Sequence, residues 1–234
     1  MKFIKKIITI VFILLMSVCV FSSSKMTVED FKNELSSIKM ESYTTFECEI
    51  EIEMDNKILS MTKMYKKGEK SRMEIKGDKN MGIGDIVIIQ DTSGTYTKEG
   101  KNKWIKSNNM SLMGQYGMID TKAMLEEMVK KERFEVEDYK NKIATIRYKE
   151  ENYGTVSDIR VGIDMSKGRI IFQEIEMNNG FSRIIYEYGE QSGKMYIKEL
   201  KIDTRTALGN KQMNIRIKNV KIDKKINDKI FKRE

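Results

Sequence analysis

From Thr45 to Met54 the chain alternates without a break, placing Phe46, Cys48, Ile50, Ile52 and Met54 on one side and Glu47, Glu49, Glu51 and Glu53 on the other. A period of two is the signature of a strand with one face buried and one in water, and a helix would scatter both sets around its circumference. The pattern then repeats. Asp55-Asn56 turns the chain into Ile58 to Lys66, Lys67-Gly68 turns it into Lys70 to Ile75, and glycines at 77 and 82 precede Ile86 to Gln90. Asp91-Thr92-Ser93-Gly94 and Glu99-Gly100 join Thr95 to Lys98 and Lys103 to Ile105. Such turn residues between alternating runs predict consecutive hairpins. Further strand candidates begin at Phe134, Lys142, Val156, Ile170, Phe181, Met195 and Gln212, with no linker or repeat dividing them.

Two segments break the strand period. Thr27-Val28-Glu29-Asp30 has the form of a capped helix start, and Val28, Phe31, Leu35 and Ile38 fall on one face of a helix running to about residue 40. Thr121 to Lys131 is the second helix, with Leu125, Met128 and Val129 on its apolar stripe. Between the strands and this helix, residues 108–119 form a methionine-rich connection. A long sheet leaves one apolar face uncovered unless these two amphipathic helices lie on it.

At the N-terminus, Lys2, Lys5 and Lys6 precede an apolar run from Ile7 to Phe21 that ends at Ser22-Ser23-Ser24. The run is shorter than the roughly 18 residues of a spanning helix, so residues 1–22 read as a cleaved export signal, with residues 23–234 as one domain. A retained anchor is the rival. Met16-Ser17-Val18-Cys19 also loosely resembles a lipobox, which would leave an envelope protein lipid-anchored through Cys19. With the signal removed only Cys48 remains, so no internal disulfide forms.

The chain has no histidine, which excludes Ser-His-Asp and Cys-His catalysis and every histidine metal site. The four glutamates from Glu47 to Glu53 could in principle serve a glycosidase or a calcium ion, but a solvated strand face explains them better. Met81-Gly82-Ile83-Gly84 precedes a strand rather than a helix and lacks the setting of a phosphate loop. The formal charge is +8, concentrated between Arg205 and Glu234, where ten basic residues face three acidic ones. That segment suits either an anionic membrane surface or the solvated side of an edge strand. Apart from Phe231 it has no aromatic residue on which bases could stack, so nucleic acid is not expected. The 18 methionines fit either a surface that repacks around varied apolar ligands or ordinary core filling.

The order of elements resembles the periplasmic lipoprotein carriers of the LolA and LolB family. Local stretches share in the likeness: Tyr65-Lys66-Lys67-Gly68-Glu69-Lys70-Ser71-Arg72-Met73-Glu74, the strand-turn-strand from Ile88-Ile89-Gln90-Asp91 to Tyr96, and Asn227-Asp228-Lys229-Ile230-Phe231. The resemblance implies an α+β fold in which an incomplete antiparallel β-barrel, of about ten or eleven strands, wraps around the N-terminal and mid-chain helices. It also implies a non-catalytic periplasmic carrier, without cofactor or metal, sheltering the acyl chains of lipoproteins or lipids in transit to the outer membrane. The alternative is a lipid-sensing or structural envelope protein of the same fold. Partners would be acylated lipoproteins or lipid, inner- and outer-membrane transfer proteins and, transiently, the membrane surface, with the chain itself a monomer.

By strand parity and helical spacing, ligand is expected against Phe46, Ile50, Ile52, Leu59, Met61 and Met73, with Met124, Leu125 and Met128 as a displaceable plug. The family's functional arginine falls on Arg72, which would hold the helical lid through loop carbonyls. Alternation sets Arg72 opposite Met73 and Ile75, so the arginine points inward only if those two do not.

Overall fold

The computed structural model describes residues 26–38, 43–77, 84–107, 121–130, 133–152 and 155–233. Residues 1–22, expected to be an export signal, with Cys19, the 81–83 stretch and the 108–119 connection lie outside them.

The first helix, α1 (Val28–Ser37), starts as its sequence suggests. Thr27 Oγ accepts from the Asp30 N–H at 3.1 Å while the Thr27 N–H reaches the Asp30 carboxylate, closing a capping box. It stops earlier than its periodicity implies. Ile38 is already extended and donates its N–H to the Leu35 carbonyl, and the Ser36 and Ser37 hydroxyls bond back to the Asn33 and Glu34 carbonyls. Serines that compete for the backbone in this way favour a helix end.

Six strands follow: β1 (Thr45–Met54), β2 (Lys57–Lys67), β3 (Lys70–Lys76), β4 (Ile86–Asp91), β5 (Gly94–Glu99) and β6 (Ile105–Ser107). After α2 (Thr121–Lys130) come β7 (Phe134–Lys140), β8 (Ile143–Asn152), β9 (Thr155–Asp164), β10 (Arg169–Met177), β11 (Gly180–Gln191), β12 (Lys194–Thr206) and β13 (Gly209–Ile222), then a 3₁₀ turn, Asp228–Phe231. All pair antiparallel in one sheet, in the order β6-β5-β4-β3-β2-β1-β13-β12-β11-β10-β9-β8-β7. Among the described residues the sheet therefore has thirteen strands rather than ten or eleven, because even the short β5 and β6 find ladder partners.

The topology is two meanders sharing a seam. The first runs outward from β1 to the β6 edge. The chain then reappears at the opposite edge, β7, and returns inward until β13 pairs with β1. Two-residue turns with positive φ at both positions, Asp55-Asn56 and Asn141-Lys142, match the strand twist. Bulges interrupt the ladders at Glu47/Glu49, Ile52/Glu53, Val136/Asp138, Ile170/Phe172 and Glu187/Tyr188, adding bend and twist. One bulge coincides with Gly162, where an added Cβ would lie 2.1 Å from the Phe172 ring. There the missing side chain lets an aromatic ring lie flat on the strand.

Both helices pack on one face of the open sheet. Phe31 and Leu35 of α1 and Leu125 and Met128 of α2 join a continuous core with residues from β1 to β4 and β7 to β13. Phe31 meets Phe134 edge-on at 5.5 Å, and Glu34 accepts from the Tyr139 hydroxyl at 2.9 Å and pairs with Lys142 at 3.1 Å. These contacts set α1 against the β7 edge, while α2 packs on β10.

Candidate binding site

Cross-strand pairing arranges the helix-facing side of the sheet in rows. One row runs Cys48, Met64, Met73, Ile88 from β1 to β4. Another crosses the seam as Ile52, Ile215, Leu200 and Tyr186. Bulges reset the parity within some strands, as in β13, where Ile217 and then Val220 and Ile222 turn inward, so that these rows form one apolar concave lining with the helices as its cover.

Of the residues chosen from sequence, Phe46, Ile50 and Met73 are buried in this lining together with Leu125 and Met128, and Ile52 packs against them. Met124 lies on α2, but its side chain is outside the described residues. Two of the choices fall elsewhere. Met61 pairs with Glu51 on the opposite face and is 45% exposed, in a groove of about 520 Å³ with Lys63, Glu74, Lys76 and Val87. Leu59 shares Met61's parity, sits at the β1–β2 bulge and is not part of the core. In β2 the inward positions are Thr62 and Met64, so the run from Ile58 to Met61 does not carry the apolar face into the core. Most of the lining comes instead from the second meander, through Ile146, Val161, Ile163, Ile170, Ile184 and Ile197. Their alternation was visible, but nothing local says which strands lie under the helices.

Tyrosines supply most of the described polar contacts on this side. The Tyr188 hydroxyl donates to the Ile170 carbonyl at 2.7 Å, the Tyr186 hydroxyl to Gln173 at 3.3 Å, and the Tyr43 hydroxyl to the Met195 carbonyl. Burial pushes the Tyr186 and Tyr188 hydroxyls well above the usual phenol range, and the buried Cys48 thiol up to about 12, so all three stay protonated near neutral pH.

The other face explains the charge pattern. Lys221 pairs with Glu47 at 2.7 Å and the Asn219 amide donates to Glu49 at 2.6 Å. Lys218 pairs with Glu51 at 2.7 Å, and Arg216 with Glu53 at 2.6 Å and Glu199 at 3.0 Å. The hydrogen bond from Lys218 is the largest influence holding the Glu51 carboxyl below the usual range, and that from Arg216 does the same for Glu53. The basic segment is thus no edge strand. As β13 it lies in the middle of the sheet, and the glutamates of β1 neutralise much of its charge. This removes the main ground for reading that strand as a membrane-binding patch, and it leaves the glutamates as ion-pair partners.

Arg72 also points to this outer face, because its neighbour Met73 is 1% exposed in the core. Its Nη1 donates to a carbonyl, as the resemblance implies, but the carbonyl is that of Ile230 in the C-terminal tail, at 2.8 Å, and its Nε pairs with Glu74 at 2.7 Å. The tail has further anchors. Asp228 pairs with Lys67 at 2.9 Å and Lys70 at 3.5 Å, and Arg233 stacks 3.7 Å above the Tyr96 ring. Ile89, between Arg72 and Tyr96 in the ladder, is fully buried, as nearly are Ile226 and Phe231. Among the described residues no group of three acidic or thiol ligands could hold a metal ion, and no helix is long and apolar enough to cross a membrane.

A thirteen-stranded open sheet with two short helices on its concave side is the LolA-like fold. Solved structures share it: a LolA superfamily protein from Nitrosomonas europaea superposes with a TM-score of 0.52 at 13% identity, covering 88% of this chain and 97% of its own. A DUF1329 family protein from Desulfovibrio piger gives 0.52 at 9% identity, covering 88% and 95%. At these identities the likeness concerns the fold. No protein-family model and no curated protein matches the sequence.

Proposed function

We propose that this chain is an exported, non-catalytic binding protein whose concave face shelters acyl chains of lipoproteins or lipids bound for the outer membrane. The observation that carries the reading is the apolar lining of an open LolA-like sheet, covered by two short helices rather than by a second sheet. In this reading residues 1–22 direct export and are removed, the remaining domain acts as a monomer in the periplasm, and no cofactor takes part. The lack of histidine and the pairing of the β1 glutamates agree with binding rather than turnover.

The site comprises Phe46, Ile50, Ile52 and Met73 with α2 as the displaceable element. Leu125 and Met128 are packed in the core, so acyl chains enter by displacing α2 rather than by filling a standing void. Fluorescent fatty-acid binding measured beside urea unfolding tests this. The Met124→Ser, Met128→Ser double variant should weaken acyl binding far more than it lowers unfolding stability, by at least about a hundredfold in affinity, or about 2.8 kcal/mol, against an unfolding loss below about 1 kcal/mol. Unchanged binding would remove α2 from the site. Passage of a bound acylated peptide to acceptor vesicles would identify a carrier, and its retention a sensor.

A further inference from the structure

Followed toward the β6 edge, the rows of the concave face change chemistry. The row that begins with Cys48, Met64, Met73 and Ile88 continues through Thr97 to Ile105, which is exposed at the edge. The row beside it runs Phe46, Lys66, Ser71, Gln90, Thr95 and Ser107. Beside the apolar Met73 and Ile88, the floor on β3 to β6 therefore carries hydroxyls and one amide, from Ser71, Gln90, Thr95, Thr97 and Ser107, before it reaches Ile105. Thr95 is buried, and the side-chain oxygens of Gln90 and Thr97 are fully enclosed yet make no hydrogen bond among the described residues. Gln90 and Thr97 are diagonal neighbours, roughly 7–8 Å apart in such a ladder with their Cβ atoms somewhat closer.

Enclosed oxygens without partners destabilise a folded chain, and sheet residues facing a core are easily replaced by apolar ones of the same shape. Two such oxygens side by side at the end of an apolar lining are the arrangement expected where a ligand completes the bonding. Resting on the acyl-binding reading above, we propose that Gln90 and Thr97 form a headgroup subsite. It takes acyl ligands whose neutral head carries a hydrogen-bond donor close to the acyl carbonyl. The Gln90 oxygen can only accept, so it requires an O–H or N–H on the ligand. The Thr97 hydroxyl can donate, so it suits the ester or amide carbonyl beside that donor. A glycerol ester and an N-acyl amide both meet the demand, whereas a simple methyl ester has no donor.

The test uses the full chain with monooleoylglycerol, N-oleoyl glycinamide and methyl oleate as probes. The variant is Gln90→Met with Thr97→Val, which preserves shape and removes both hydrogen-bonding groups. The wild-type chain should bind at least one donor-bearing probe about tenfold more tightly than methyl oleate. In the double variant that preference should vanish, methyl oleate affinity should hold, and the urea midpoint should stay or rise. Which donor-bearing probe is preferred separates a glyceride from an amide source. Equal wild-type affinities for all three probes, or a variant that weakens all of them equally, would overturn the subsite while leaving acyl binding intact. A fall in the urea midpoint with selectivity retained would overturn it too, showing the oxygens to be structural. If no acyl probe binds, the acyl-binding reading falls and the subsite with it.

Discussion

Arg72 spends its guanidinium on the solvent side of β3, shared between Glu74 and the Ile230 carbonyl, and so fastens the C-terminal tail rather than the helices. Replacing Arg72 by Met keeps its aliphatic stem and removes a charge-assisted bond of about 1.5–3 kcal/mol, a value lowered by the partial exposure of the site. The expected outcome is a stability loss of about 1 kcal/mol. Hydrogen exchange at 229–233 should quicken while that of β13 is unchanged. Equal acceleration in both would show that the arginine supports the core. The carboxylates set a second expectation. Asp223, held by Lys194 and then by Thr44, Asp158, held by Arg147, and Glu51 and Glu53 all have folded pKa values below their usual ones. A depressed carboxyl contributes stability above its unfolded pKa, about 3.9 for Asp and 4.3 for Glu, and loses it as pH falls through the folded value. With no histidine to titrate, urea midpoints should be flat from about pH 6 to 8 and fall below about pH 4. A midpoint that changes steadily between pH 6 and 8 would contradict this.

At the level of elements, the strands are long but repeatedly bent. Gly162 of β9 shows why the bends are needed, since it leaves room for the Phe172 ring of β10 at a bulge. Its backbone is extended, so an alanine meets no conformational penalty, only the ring. Gly162→Ala should therefore destabilise by about 1–3 kcal/mol, the range of overpacking, and Phe172→Leu in the same chain should recover much of it. Additive losses in the double variant, read from urea unfolding, would disprove the contact. The same logic applies at Gly189, where the Tyr196 ring stands 2.8 Å from the position of a Cβ. Bulges and ring-covered glycines in β8 to β12 bend the stretch of sheet on which α2 rests, through its contact with β10.

The molecule as a whole depends on one seam, because the β1–β13 ladder is where the two meanders meet. Arg216 bridges it, reaching Glu51 and Glu53 on β1 and Glu199 on β12. Arg216→Met leaves three carboxylates close together. The urea midpoint should fall, and the fall should shrink as salt is raised. A loss independent of salt would point to packing instead. The individual strands were legible in the chain, since alternation and turn residues are local properties that no distant contact is needed to read. The capping box at Thr27 and the apolar faces of both helices were legible for the same reason. The parity that sends Met73 inward and Arg72 outward was present as well, though not which side of the sheet the helices would take. Pairing was not legible. That the basic C-terminal strand lies at the centre against the β1 glutamates, that Met61 faces away from the core, and that a tail carbonyl meets Arg72 all depend on residues more than 100 positions apart or on a bulge one residue long. Local periodicity sets which faces are apolar. Only the packed sheet, by bringing distant rows into register under the helices, decides which of those faces becomes the enclosed lining.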